Sequence, residues 1–93
     1  MRLDWDERKN QENIRKHGFD FASVWEIFEL PMLLDIDARE VFEQRVAGIG
    51  FLRQVVIFAE GADGTIRIIS LRKALKHESK RFEEFLKNEL GAD

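Results

Sequence analysis

The chain of 93 residues contains no cysteine. Disulfides and thiolate chemistry are therefore excluded, and the composition suits a reducing compartment. No apolar run approaches the ~20 residues needed to cross a bilayer. The N-terminal MRLDWDE lacks the apolar stretch of a secretory signal, so the chain is expected to be cytoplasmic with no membrane partner. There is no phosphate-cradling glycine loop, no repeat, no low-complexity tract and no linker. Histidine is scarce: His17 and His77 fall in separate helical segments, so a histidine-based metal cluster is not supported. Asp35 and Asp37, in DIDARE, offer a D-x-D turn that could hold a divalent cation, although such turns are ordinarily just solvated. Neither Ser70 nor Ser79 has a His–acid pattern near it. No metal or other cofactor is expected.

What is present suits one small domain spanning 1–93. A chain this short buries only roughly 60–65% of its unfolded surface. Few large side chains can be idle, and most of the eight Phe and two Trp are expected in a core. The formal charge of −3 hides an asymmetry. Residues 67–81 hold six cations (Arg67, Arg72, Lys73, Lys76, Lys80 and Arg81) against Glu78, a net +5 that leaves −8 for the rest. A local basic site on an acidic body follows, or simply a solvated helix face.

Residues 2–5 alternate as a short edge strand would. WDERKNQENIRKHG reads as a helix capped by Asp6 and ended by Gly18, yet its only apolar interior residue is Ile14. Residues 20–29 form a second helix with Asp20 as cap and a core face of Phe21, Val24, Trp25 and Phe28, broken by Pro31, the only proline. Strands are expected at 32–36, 40–49, 53–60 and 65–71, with Gly48 and Gly50 marking a fraying end or bulge and GADG a hairpin turn. The near-continuous apolar run at 53–60 belongs in the middle of the sheet. A last helix, 73–90, buries Leu75, Phe82, Leu86 and Leu90 and stops at Gly91. The order β-α-α-β-β-β-β-α defines an α+β fold: a mainly antiparallel sheet packed against two N-terminal helices and one C-terminal helix.

Phosphodiester cleavage without a metal needs a base near an RNA 2′-hydroxyl, cations for the charge building on phosphate, and an acid for the leaving oxygen. Lys9, Asn13 and Lys16 share one face of the first helix, and Asn10, Asn13 and His17 an adjoining one. Arg67 is expected beside Ile69 and Leu71 on one sheet face, and Arg45 beside Val41 and Glu43 on another strand. An arginine on a half-buried face wants a carboxylate inside the protein or a phosphate outside it. The plainer assignments remain open: His17 as a helix-end group, Arg45 paired with Glu43 or Glu40, Ser70 as a cap.

The pattern D-W-D-E-x-K-N-x-x-N-x-x-K-H-G from Asp4 to Gly18 resembles the opening of the BrnT family of toxins from bacterial type II toxin–antitoxin pairs. E-x-R-x-x-x-I-G (43–50), I-R-I-I-S-x-R-K-A (66–74) and Glu78 look like that family's later motifs. The resemblance implies a RelE-like fold and a metal-independent endoribonuclease that arrests translation. It implies a BrnA-type ribbon-helix-helix antitoxin, two toxins assembling with an antitoxin dimer, and operator DNA contacted only through the antitoxin. Carried onto this chain, it implies Lys9 or His17 as base and Arg67 and Arg72 on the scissile phosphate. Lys16, Arg45, Ser70, Lys73 and Lys76 would hold the RNA. Two positions depart from the family pattern: Phe82 stands where a Tyr is expected, and Leu71 where an Ala is usual after the Ser. Phe82 falls on the core stripe of the last helix. Two other readings stay open, a module of the same fold that grips RNA or a partner without cleaving, and a scaffold whose basic face docks an acidic partner helix.

Overall fold

The computed structural model describes residues 2–37, 45–50 and 53–89, the side chains at 35–37 excepted. The elements are β1 (Leu3–Asp4), α1 (Glu7–His17), a 3-10 turn (Phe21–Ser23), α2 (Val24–Phe28), β2 (Met32–Asp37), β3 (Arg45–Gly50), β4 (Gln54–Glu60), β5 (Ile66–Lys73) and α3 (Lys76–Glu89). The five strands form one sheet in the order β1-β5-β4-β3-β2, antiparallel except for the β1–β5 pair. This is the expected α+β arrangement, with the apolar strand 54–60 at its centre.

Two apolar clusters cover the two faces of β4. On one face Phe21, Val24 and Ile27 pack onto Val56, Phe58, Ile68 and Leu71. On the other, Phe82 of α3, with Phe85 and Leu86 packed alongside, meets Ile49, Val55 and Ile57. The alternation of β4 therefore feeds both layers, which is why its sequence reads as continuous apolar residues rather than as an HPHP pattern. Phe82 is 6% exposed, as the core stripe requires.

Several local expectations change. The second helix opens with a 3-10 turn, whose tighter winding shifts the phase of the residues that follow. Ile27, not Trp25, becomes the buried partner of Phe21 and Val24, and Trp25 is 43% exposed. Strand β5 runs to Lys73, so α3 starts at Lys76 and Leu75 precedes it with 54% exposure instead of joining the core stripe. Gly48 and Gly50 are neither frayed nor bulged but lie within β3, opposite Leu34 and Met32. A Cβ at Gly48 would meet the flexible Met32 side chain, its Sδ at 2.5 Å, so Met32 occupies the space a side chain there would take. Residues 40–44, with the expected placement of Val41 and Glu43 and the Glu40 and Glu43 partners of Arg45, lie outside the described residues. So do Leu90 and Gly91 and the D-x-D side chains.

The irregularity falls in β5 instead. Ile57 pairs with Ser70, whereas Phe58 pairs with Ile68, leaving Ile69 as an extra residue. This β-bulge reverses the side-chain phase along the strand. Ile68 and Leu71 both join the first cluster, while Ile69 packs against the second. Ile69 and Leu71 thus face opposite sides of the sheet, contrary to the simple alternation expected from sequence.

Candidate functional site

Helix α1 docks on polar atoms. Asp6 caps it by accepting from Arg8 N–H, and Gly18, at φ 79°, closes it by donating to Ile14 O at 2.8 Å. Its buried residues are Asn10 and Asn13, only 2% and 6% exposed. Asn10 Oδ1 accepts from Phe21 N–H at 2.8 Å, and its Nδ2 donates to Asp20 Oδ1 at 3.0 Å and Glu7 Oε1 at 3.2 Å. The backbone N–H of Ala22, and then Asn10, holds the Asp20 carboxyl below the usual carboxylate range. Asn13 Nδ2 donates to Leu71 O at 2.8 Å and to Phe19 O at 3.0 Å, while its Oδ1 accepts from Leu71 N–H at 3.1 Å. These two residues were expected on a polar working face. They are instead the helix's anchors, together with Trp5, whose ring stands edge-on to Phe21 at 6.2 Å.

Beyond its two-residue pairing with β1, the outer edge of β5 would expose backbone groups. The Asn13 amide acts there as a surrogate strand, satisfying both the N–H and the C=O of Leu71. This fixes which side of α1 overlooks the sheet. Lys9, Lys16 and His17 flank Asn13 and, with Glu12, form one wall of an open cleft of about 270 Å³. Its floor is Ile69 and Ser70, which the bulge turns to the same side, and Ser70 Oγ lies 3.4 Å from Asn13 Oδ1. Arg45, on the same face of β3 as Ala47 and Ile49, closes the cleft from across the sheet.

Five residues singled out in the sequence therefore share one cleft: Lys9, Lys16, His17, Arg45 and Ser70. Four do not line it. Arg67 lies in a separate small hollow with Asp4, Glu60 and Thr65. Arg72 makes a bidentate pair with Glu78, at 2.8 and 2.9 Å. Glu78 Oε1 also accepts from Leu75 N–H at 2.7 Å, so this largely buried carboxylate ties β5 to the start of α3. The Arg72 hydrogen bonds, opposed by partial burial, hold its carboxyl below the ordinary glutamate value. Lys73 and Lys76 line a second cleft at the opposite end of β5. Sequence reasoning missed Glu12 as a member of the first cleft; its spacing from Lys9 and Lys16 is the signal that could have found it. Among the described residues no group of three or more His, Cys, Asp or Glu side chains could hold a metal ion, and no helix is long and apolar enough to cross a membrane.

The fold and the site together define a small α+β protein with a polar cleft, walled by Lys9, Lys16, His17 and Arg45, on a bulged, mainly antiparallel sheet. The family model described as the ribonuclease toxin BrnT of type II toxin–antitoxin systems matches residues 5–78, and the chain belongs to that family. The crystal structure of the Brucella abortus ribonuclease toxin BrnT, at 1.1 Å resolution, superposes with a TM-score of 0.59 and 30% identity. That similarity covers 82% of this chain and 99% of the Brucella protein. None of the curated proteins compared with the chain matches it. Membership of a type II toxin–antitoxin family implies an antitoxin partner.

Proposed function

We propose that the chain is a metal-independent endoribonuclease that arrests translation, and that it cleaves RNA in the cleft between α1 and the sheet. The convergence of Lys9, Lys16, His17, Arg45 and Ser70 on that cleft carries this reading. Lys9 or His17 takes the proton from a ribose 2′-hydroxyl, whose oxygen attacks the adjacent phosphorus. The bond to the 5′-oxygen breaks, and that oxygen takes up a proton from the other of the pair. The products are a 2′,3′-cyclic phosphate and a 5′-hydroxyl. Lys16 and Arg45 stabilise the charge on the phosphoryl oxygens, and Ser70 offers a hydroxyl to the same group. Arg67 and Arg72, first assigned to the phosphate, do not line this cleft, and Arg72 is committed to Glu78. The reading therefore gives the phosphate to Lys16 and Arg45, and it takes Lys73 and Lys76, which line another cleft, out of the RNA contacts.

Family membership supports the partner assignment, which the same proposal makes finer: a BrnA-type ribbon-helix-helix antitoxin, whose dimer joins two toxins and alone contacts operator DNA. The test is purified chain on a defined RNA in EDTA. New ends bearing cyclic phosphate, lost in Lys9→Ala and Lys16→Ala while the fold persists, are expected. Binding without new ends would leave the non-cleaving module of the same fold. Induced expression should stall bacterial growth, and an innocuous unmutated chain would contradict the toxin reading.

A further inference from the structure

The second cleft differs in character from the first. It encloses about 710 Å³ at the junction of β5 and α3. Among the described residues, Arg53, Lys73, Lys76 and Lys80 surround it against one carboxylate, Glu83, and Leu75 lies in its lining. Among the described residues none of these four cations is engaged in an ion pair. A smaller hollow of about 170 Å³ adjoins it, sharing Arg53 and Glu83, and its inner wall is apolar: Ile49, Phe82 and Leu86. The place is structurally braced. Arg53 adopts φ 56°, unusual for a residue with a side chain, while its carbonyl accepts from Ala74 N–H at 2.8 Å and so ties the β3–β4 turn to the residue that follows β5.

We infer that this second cleft is a docking surface for an acidic protein segment that inserts one apolar side chain between Ile49, Phe82 and Leu86 and sets its carboxylates against Arg53, Lys73, Lys76 and Lys80. Charge complementarity selects an anionic occupant. The apolar pocket and the exposed Leu75 select a polypeptide over RNA. A phosphate backbone satisfies the cations but gives nothing to cover leucine, and among the described residues no aromatic side chain lines the larger cleft to stack a base. An apolar anchor in a pocket ringed by charge is the ordinary anatomy of a protein interface. The surface is separate from the Lys9–Arg45 cleft, so it stands or falls independently of the ribonuclease reading.

The probe is a phage-displayed library of short random peptides, selected against the full chain. Selected peptides are then labelled and titrated by fluorescence anisotropy, beside a 2′-O-methyl RNA that cannot be cleaved through its 2′-oxygen. The double variant Lys76→Glu/Lys80→Glu and, separately, Leu75→Ser alter exposed side chains, and circular dichroism checks that both fold. The selected peptides are expected to carry several Asp or Glu beside a Leu, Ile or Phe. They should bind each of these variants about tenfold more weakly or worse, and Lys9→Ala unchanged, while the RNA keeps its affinity for the double variant. Peptides without acidic residues, or acidic peptides that bind the double variant as tightly, overturn the proposal. A tenfold loss of RNA affinity in the double variant would make the cleft an RNA tract. A dimer of the unmutated chain in sedimentation, abolished by the double variant, would make the occupant a second copy.

Discussion

Asn13 holds both backbone polar groups of Leu71, donating to the carbonyl at 2.8 Å and accepting from the N–H at 3.1 Å across 58 residues of sequence. One side-chain amide thereby does the work of a missing strand. It also sets Lys9, Lys16 and His17 over Ser70. Asn13→Ala leaves both Leu71 groups buried without a partner, and should lower unfolding free energy by about 2–4 kcal/mol in urea titration. Asn13→Asp keeps the acceptor but turns a carboxylate oxygen toward the Leu71 carbonyl. Its deficit relative to the unmutated chain should shrink on acidification, because the protonated carboxyl regains a donor. A deficit independent of pH would contradict this geometry.

At Glu78 acidification acts on the unmutated chain rather than on the variant. Its folded-state pKa lies below the unfolded value, through Arg72 first and then the Leu75 N–H. A depressed acid pKa stabilises the fold above the unfolded value and loses that stabilisation as pH falls through the folded value. Glu78→Gln should therefore cost about 1.5–3 kcal/mol near neutral pH, and the gap should close progressively below the ordinary glutamate range of about 4–4.5. Unfolding curves for the two chains at several pH values check it.

The Arg72–Glu78 pair also separates two roles for the arginine. Arg72→Lys keeps the charge but loses the paired hydrogen bonds, a substitution that is not conservative at a bidentate site. It should lower the unfolding midpoint, while cleavage per folded molecule stays within about threefold of the unmutated chain on the ordinary scatter of residues outside the chemistry. A loss of about a hundredfold or more in a folded variant would return Arg72 to the phosphate.

What could be read from the sequence follows from how local each cause is. The Asp6 and Asp20 caps, the Gly18 stop, the central strand 54–60 and the core position of Phe82 rest on near-neighbour chemistry or on strong periodicity, and all are present. The Ile69 bulge depends on how two strands align, and it alone decides that Ile69 and Ser70 share a side while Leu71 does not. Asn10 and Asn13 look like solvent residues because their partners, Phe21 and Leu71, lie in other elements. Strand β5 outlasting its predicted end by two residues moves Leu75 from core to surface, and Lys73 and Lys76 into a cleft of their own. Charge run and site were one object in the sequence; in three dimensions the run is divided by the Arg72–Glu78 pair.

Gly18 follows His17 at the end of the cleft's wall, with φ 79° and open space around its missing Cβ. With nothing to clash against, the cost of a side chain there is purely that of the left-handed backbone. Gly18→Ala should destabilise by about 1–2 kcal/mol. Gly18→Asn should cost less, since asparagine tolerates that region. Thermal unfolding of the pair checks the ordering, and equal losses would mean that the strain lies elsewhere.

The cleft makes a last prediction that separates binding from chemistry. Lys16 is assigned to a phosphoryl oxygen, so Lys16→Ala should weaken binding of an uncleavable RNA at every sequence tested. The slope of log affinity against log salt should fall by about 0.7, one phosphate contact on a single strand. Lys9 is assigned to proton transfer. If it is the group that moves the proton, Lys9→Ala should slow cleavage by about 10²–10⁴ at saturating RNA, well beyond its effect on affinity. His17→Ala then shows the milder effect if His17 only positions, and a comparable one if the two share the proton's path. Equal losses of affinity and rate in Lys9→Ala would mark Lys9 as a further phosphate contact and leave His17 as the base. Either outcome depends on α1 staying docked, so each variant is read against Asn13→Ala, in which the same lysines are present and the clamp that positions them is gone.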